Sequence, residues 1–434
     1  MKFRTVEKWN VIISGFEKSP CFCVEVVKEN MNVLFLTLVG FETLQIRSLY
    51  TDLLREFVKN GHSVYVISPI EKRENKPTHL NHEKNATILR LQIGDITKTS
   101  FIKKGISTVM IDPSYKKGIK QFFSDVKFDL VLYSTPPITL VSAIEYVKKR
   151  DNAKAYLLLK DIFPQNAVDI GIMTKSGIKG ILYKHFRNKE KKLYRISDRI
   201  GCMSPANVEY VIKHNPEVDS GIVEVCPNSC SVTDLSVDNE TKSKIRGKYG
   251  IPLDKKVFIY GGNLGRPQGI PFLVECLKKC DGMGDILFLI VGSGTEYHLI
   301  SEYVEKEKPG HVKLMQHLPQ EEYDNMVGSC DVGLVFLDHR FTIPNFPSRL
   351  LAYMQAKLPV LAVTDPNTDI GKIIVEGGFG WWCESNDAEI FKKIIQEIKS
   401  SNTDEKIDNG WNYLVSHYTS EISYRIIMKD YDNE

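Results

Sequence analysis

The feature that most constrains this chain is a repeated alternation of a short apolar run, a loop, an amphipathic helix and another apolar run. The first unit is the clearest. "NVLFLTL" reads as a buried strand. In "RSLYTDLLREFVKNG", Leu49, Leu53, Leu54, Phe57 and Val58 recur at helical spacing, and Gly61 closes the helix before the strand "HSVYVISP". Strands joined through helices run parallel, so the pattern implies a doubly wound α/β sheet with helices on both faces. Such sheets bind ligands beyond the carboxyl ends of their strands, and the loops there are where function is to be sought.

At 434 residues the chain is too long for one compact core and suits two domains. The expected division is an extension over 1–30, a first α/β domain over 31–233, a linker over 234–245, a second α/β domain over 246–413 and a helical tail over 414–434. A net charge of +3 does not suggest a nucleic-acid binder. No apolar run approaches the length of a membrane span. The nine cysteines lack zinc or disulfide-framework spacing, which suits a reducing, cytoplasmic compartment. "DYD" at 430–432 has no strand before it and is read as chance.

Several strand ends offer candidates. The loop after the first strand holds Gly40. "AYLLLKDIFPQNAVDIG" stops on Lys160 and Asp161 at the ligand edge, where a salt bridge or a helix cap is an equally good reading. In the second half, "KVFIYGGNLGRPQGIPFLVECLKKC" is strand, glycine-rich loop and helix, with Gly261, Gly262, Gly265, Gly269 and the cation Arg266. Gly292–Ser293–Gly294 repeats the theme. "PNFPSRLLAYMQAKLPVLAV" then gives a loop, a helix starting at Pro347, Ser348 and Arg349, and a buried strand. Free amides at a helix start, a serine able to cap them and an arginine in the first turn suit a diphosphate. Two stretches, 98–123 and 176–199, interleave lysines with apolar residues. They read either as solvated faces of core helices or as surfaces for an anionic membrane.

The order of these features resembles the large retaining family-4 glycosyltransferases of two-Rossmann, GT-B architecture, from Met31 nearly to the end. Within that family, "YTDLLREFVKNGHSVYVISP", "KDIFPQNAVDIG", "YGGNLGRPQGI" and "PSRLLAYMQAKLPVLAVTDPNTDIG" are similar to the L-fucosamine (N-acetyl-L-fucosamine) transferases of bacterial O-antigen and capsule synthesis.

The resemblance implies a nucleotide-sugar donor, UDP-linked, a lipid-diphosphate-linked sugar as acceptor, and no metal or cofactor. It places the enzyme at the inner face of the plasma membrane. It also implies that Gly261–Gly269 cradles the donor diphosphate, with Asn263 and Gln268 standing where many relatives have arginine and lysine. Arg266 and Arg349 then supply the positive charge, beside Pro347, Ser348 and Gly40. Lys160–Asp161 matches the family's His–Asp pair, and Met315, His317 and Leu318 contact the base. The chain departs from the pattern at Pro344 and Ala352, where the family has glutamates, and at Lys357, where it has glycine. A non-catalytic nucleotide-sugar-binding module and a sugar-nucleotide epimerase are the competing expectations.

Overall fold

The computed structural model describes residues 30–96 and 101–431, apart from the side chains of 101–106 and 178–179. Most of the expected extension, Lys98 and the side chains of Phe101, Ile102, Lys103, Lys104 and Ile106 lie outside the described residues.

Two sheets organise the chain. The first comprises β1 (Asn32–Leu36), β2 (Ser63–Glu71), β3 (His79–Glu83), β4 (Ala86–Ile93), β5 (Leu130–Ser134), β6 (Lys154–Leu159), β7 (Arg199–Cys202) and β8 (Val223–Val225). Their order is β3-β4-β2-β1-β5-β6-β7-β8. All neighbours are parallel except β3, which pairs antiparallel with β4 at the edge. The strand "HLNHE" has few apolar letters, and its extended form comes from that pairing. The second sheet comprises β9 (Lys256–Asn263), β10 (Ile286–Ser293), β11 (Val312–Met315), β12 (Val332–Phe336), β13 (Val360–Thr364) and β14 (Gly380–Glu384), in the order β11-β10-β9-β12-β13-β14, all parallel. Strands buried on both faces need apolar side chains throughout, and β5, β12 and β13 are buried at every residue.

Helix ends follow local chemistry. The helix Leu49–Lys59 begins at Ser48, whose hydroxyl accepts the Thr51 amide, and its apolar face is buried through Leu53, Leu54 and Phe57. The expected linker is partly helical: Asp238 caps Asn239–Lys248 by accepting the Thr241 amide. This polar helix is fastened by a cation rather than an apolar stripe. The buried Arg246 donates to the carbonyl of Ser329 and to the carboxylate of Asp331 (2.9 and 2.7 Å).

The two basic stretches are helices Phe101–Phe122 and Gly177–Ile196. In the first, Ile111, Tyr115 and Ile119 enter the core while Val109 and Met110 stay exposed. Near the end of the chain, the helix Ser420–Met428 lies against Leu49–Lys59, and Tyr424 Oη meets His62 Nε2 at 2.9 Å. Arg199 and Asp430 form a two-pronged ion pair beside it (2.6 and 2.8 Å).

Candidate functional site

The carboxyl edges of the two sheets face each other across a cleft of about 700 Å³. On the second-domain side, β9 ends in the glycine loop. Gly262 has φ +118°, a conformation that suits glycine. Gly261 is required for another reason: a Cβ there would stand 1.7 Å from Tyr323 Oη. Asn263 Nδ2 donates to Gln268 Oε1 (3.0 Å), which also accepts the Gly265 amide (3.3 Å). The two neutral residues at the expected basic positions therefore bind each other and shape the loop.

The helix Arg349–Gln355 faces this loop across the cleft floor. The Arg349 guanidinium sits 4.3 Å over the Tyr260 ring, and its Nη1 is buried without a hydrogen-bond partner. Burial works against its charge, yet the oxygens of Tyr260, Tyr353 and Tyr323 hold it above its ordinary value. Tyr353 Oη accepts the Gly261 amide (3.2 Å) and donates to the Leu334 carbonyl (3.1 Å), tying helix to strand. One expectation is corrected here: Ser348 has helical backbone angles and its hydroxyl caps no amide. A capping serine adopts extended angles, and this one is already part of the turn.

On the first-domain side, Lys160 lines the cleft from the end of β6. Its ammonium donates to the carbonyls of Cys226 and Pro227 (3.3 and 3.1 Å), and burial lowers its pKa. Thr135 Oγ1 accepts the amides of Lys160 and Asp161 (3.0 and 3.2 Å) and so fixes this turn. The Asp161 carboxylate accepts from Asn166 Nδ2 at 2.8 and 2.7 Å. Burial pushes it up to about 6, despite the hydrogen bonds from the Ile162 amide and Asn166 that pull it down.

Around the cleft the structure brings together Lys160, Gly261, Gly262, Asn263, Gln268, His317, Leu318, Pro347, Ser348 and Arg349. Asp161 does not line it, because its side chain is engaged by Asn166. Arg266 is not among the lining residues: its guanidinium is half exposed and lies 3.6 Å from Glu296. Gly40 is exposed in the loop after β1, where its neighbour Val39 lines the cleft. Gly265 belongs to the loop's internal bonding, Gly292 pairs with Gly262 between strands, and Met315 packs against the core.

Tyr323 and Asn228 are among the cleft residues missed from sequence. Tyr323 reaches the site from the helix Gln320–Gly328 through tertiary packing alone. Asn228 donates to the Phe346 carbonyl (2.9 Å) and leaves its buried Oδ1 unpartnered at the cleft. The "PNS" triplet signalled a turn there and nothing more. Arg47 and Asp324, each next in sequence to a cleft-lining residue (Ser48 and Tyr323), form an ion pair between the two domains at 2.6 Å. Among the described residues, the cleft lining carries the cations Lys160 and Arg349 and no aspartate or glutamate. Such a cleft is built for an anion with apolar and hydrogen-bonding parts.

The chain is 24% identical over 364 residues to the Pseudomonas aeruginosa protein named "Probable glycosyltransferase WbjE", covering 77% of this chain and 89% of that one. Sucrose-phosphate synthase from Thermosynechococcus elongatus superposes with a TM-score of 0.73 at 16% identity, over 93% of this chain and 98% of that one. HepE from Anabaena, solved in complex with UDP-glucose, superposes with a TM-score of 0.67 at 13% identity, over 93% of this chain and 100% of that one. The chain thus has the GT-B-like fold, two facing α/β domains, and its residues 241–410 match the family described as glycosyl transferases group 1.

Proposed function

We propose that the protein is a retaining, metal-independent glycosyltransferase. It moves a sugar, of the N-acetyl-L-fucosamine type, from a UDP-linked donor to a lipid-diphosphate-linked sugar in O-antigen or capsule synthesis. It works at the cytoplasmic face of the membrane. The observation that carries this reading is the charge of the cleft: two cations, one with an unpartnered N–H, beside a glycine loop and with no carboxylate in the lining. An epimerase would need acid and base carboxylates in the same place.

In this mechanism the donor diphosphate lies over Gly262 and Asn263, with Arg349 Nη1 donating to it. The bond from the anomeric carbon to the phosphate oxygen breaks through an oxocarbenium-like state. The departing charge is met by donors already in position, the electrostatic contribution that usually dominates group transfer. The acceptor hydroxyl attacks on the same face. Its proton passes to the leaving phosphate oxygen, giving a nucleoside diphosphate and the new glycosidic bond with retention. Lys160 supplies the facing charge, and Asp161 steadies the turn beneath it through Asn166. The Arg47–Asp324 bridge ties the two domains beside the cleft, and domain closure there excludes water.

Purified protein incubated with a panel of nucleotide sugars and a short-chain prenyl-diphosphate N-acetylhexosamine, read by mass spectrometry, tests the reading. One donor should yield a disaccharide lipid. Binding of donor without any turnover would leave a non-catalytic module, and product from donor alone would make the protein an epimerase.

A further inference from the structure

A second cavity, of about 260 Å³, lies in the first domain beside the cleft and is not used by the donor chemistry above. Two chain segments link it to the cleft. Lys160 lines the cleft and Ile162 lines the cavity, two residues and at most about 7 Å apart along the chain. From the second domain, Asn345 lines the cleft and Thr342 lines the cavity. Thr342 is held in place by Asp169, whose carboxylate accepts its amide (2.8 Å) and its hydroxyl (2.9 Å). The cavity and the cleft are therefore lined by close neighbours on the same two segments.

Its lining is unlike that of the cleft. Tyr183 and Tyr210 present aromatic rings, and Tyr210 is stacked on His214 with centroids 4.0 Å apart. Arg187 is spent internally on Glu190, the His214 carbonyl and Asn215. Lys175 is exposed, 5.8 Å from the Tyr183 ring centroid, and is the one lining cation with no anionic partner among the described residues. Nearby in sequence, Ile172 precedes Lys175 by three residues and Ile181 and Leu182 adjoin Tyr183; they are exposed by 53%, 71% and 40%. Three chemistries thus occur in and around the cavity: aromatic rings with hydroxyls, a cation without an anionic partner, and exposed apolar side chains. Rings of this kind stack on the C–H face of a sugar while their hydroxyls bond its edge. An unpaired ammonium suits phosphate, and exposed isoleucines beside lysines suit lipid.

Resting on the transferase reading, we propose that this cavity is the acceptor subsite for a prenyl-diphosphate-linked sugar. Tyr183 and Tyr210 hold the sugar, Lys175 meets the diphosphate, and Ile172, Ile181 and Leu182 take the first prenyl units.

Calorimetric titration with farnesyl-diphosphate N-acetylglucosamine, with farnesyl diphosphate and with UDP, on wild type, Lys175→Ala and Tyr183→Ala, tests this. Both side chains are at the surface, so the variants keep the fold. Each substitution should weaken the sugar-bearing probe at least tenfold while UDP binding stays within twofold. Farnesyl diphosphate should be weakened by Lys175→Ala and left unchanged by Tyr183→Ala. Unchanged probe binding in both variants, or an equal loss of UDP binding, would overturn the assignment. Because the readout is binding, a wild type that binds the probe at this cavity yet transfers nothing refutes the transferase and keeps the subsite. Turnover with an unaltered acceptor KM in both variants refutes the subsite and keeps the transferase.

Discussion

Replacing Arg349 by methionine separates catalysis from stability at a single residue. In the fold, its guanidinium makes a cation–π contact with Tyr260 at 4.3 Å and leaves Nη1 buried and unpartnered. Losing the desolvated cation–π contact costs about 2 kcal/mol. Removing an unsatisfied buried donor returns about 1–3 kcal/mol, and the methionine stem keeps the packing on the ring. The two effects offset each other, so stability should change by no more than about 1 kcal/mol, which in a chain of this size is at most about 4 °C in Tm. In the transition state the same Nη1 faces a departing diphosphate. Removing one such prepared donor costs about 2.7–4 kcal/mol, or about 10²–10³ in kcat. The assay is kcat by product mass spectrometry beside a thermal melt of the same preparation. A kcat within threefold of wild type would refute the placement of the diphosphate. A large loss of Tm with the loss of kcat would show that Arg349 serves the fold.

Other outcomes follow from neighbouring features. Asp161 is raised to about 6 by burial, so the folded chain holds its proton more tightly than the unfolded one. The resulting penalty is absent below the ordinary value of 3.8, grows as pH rises to about 6 and is complete above it. Asp161→Asn should therefore gain in urea midpoint over wild type between those limits, and a gain independent of pH would refute the cause. Lys357 has φ +56° at the end of the helix Arg349–Gln355. Lys357→Gly should be more stable than Lys357→Ala by about 1 kcal/mol in urea unfolding, and equal stabilities would show that the left-handed backbone carries no strain. Gly261→Ala places a Cβ against Tyr323 Oη and should abolish UDP binding in calorimetry, whereas the double variant with Tyr323→Ala should recover it. Transfer should survive excess chelator, and a loss restored by magnesium would refute metal independence.

The sheets were legible because double burial forces apolar runs and because Gly61 closes a helix in plain letters. The edge strand β3 was not, since "HLNHE" is extended only by pairing with β4. The polar run before β9 read as a linker because its helix is secured by Arg246 and Asp331, a contact 85 residues apart in sequence. At the site, the glycine loop, Lys160 and Arg349 could be read from strand ends. Side-chain direction could not: Asn166 turns Asp161 from the cleft and Glu296 occupies Arg266. Tyr323 and Asn228 enter from elements that carry no local signature of a ligand.

The docking of Ser420–Met428 on the helix Leu49–Lys59 has a consequence for synthesis on the ribosome. Phe57 and His62 lie against Tyr424, so the first domain's face is completed by residues translated after the second domain's sheet. At about 5–20 residues per second, the roughly 195 residues from the end of β8 to Ser420 take roughly 10–40 s to appear. For that interval the nascent first domain presents an uncovered apolar face. A chain cut short anywhere in the second domain leaves that face bare for good, so the fold marks unfinished copies for recognition by chaperones and proteases.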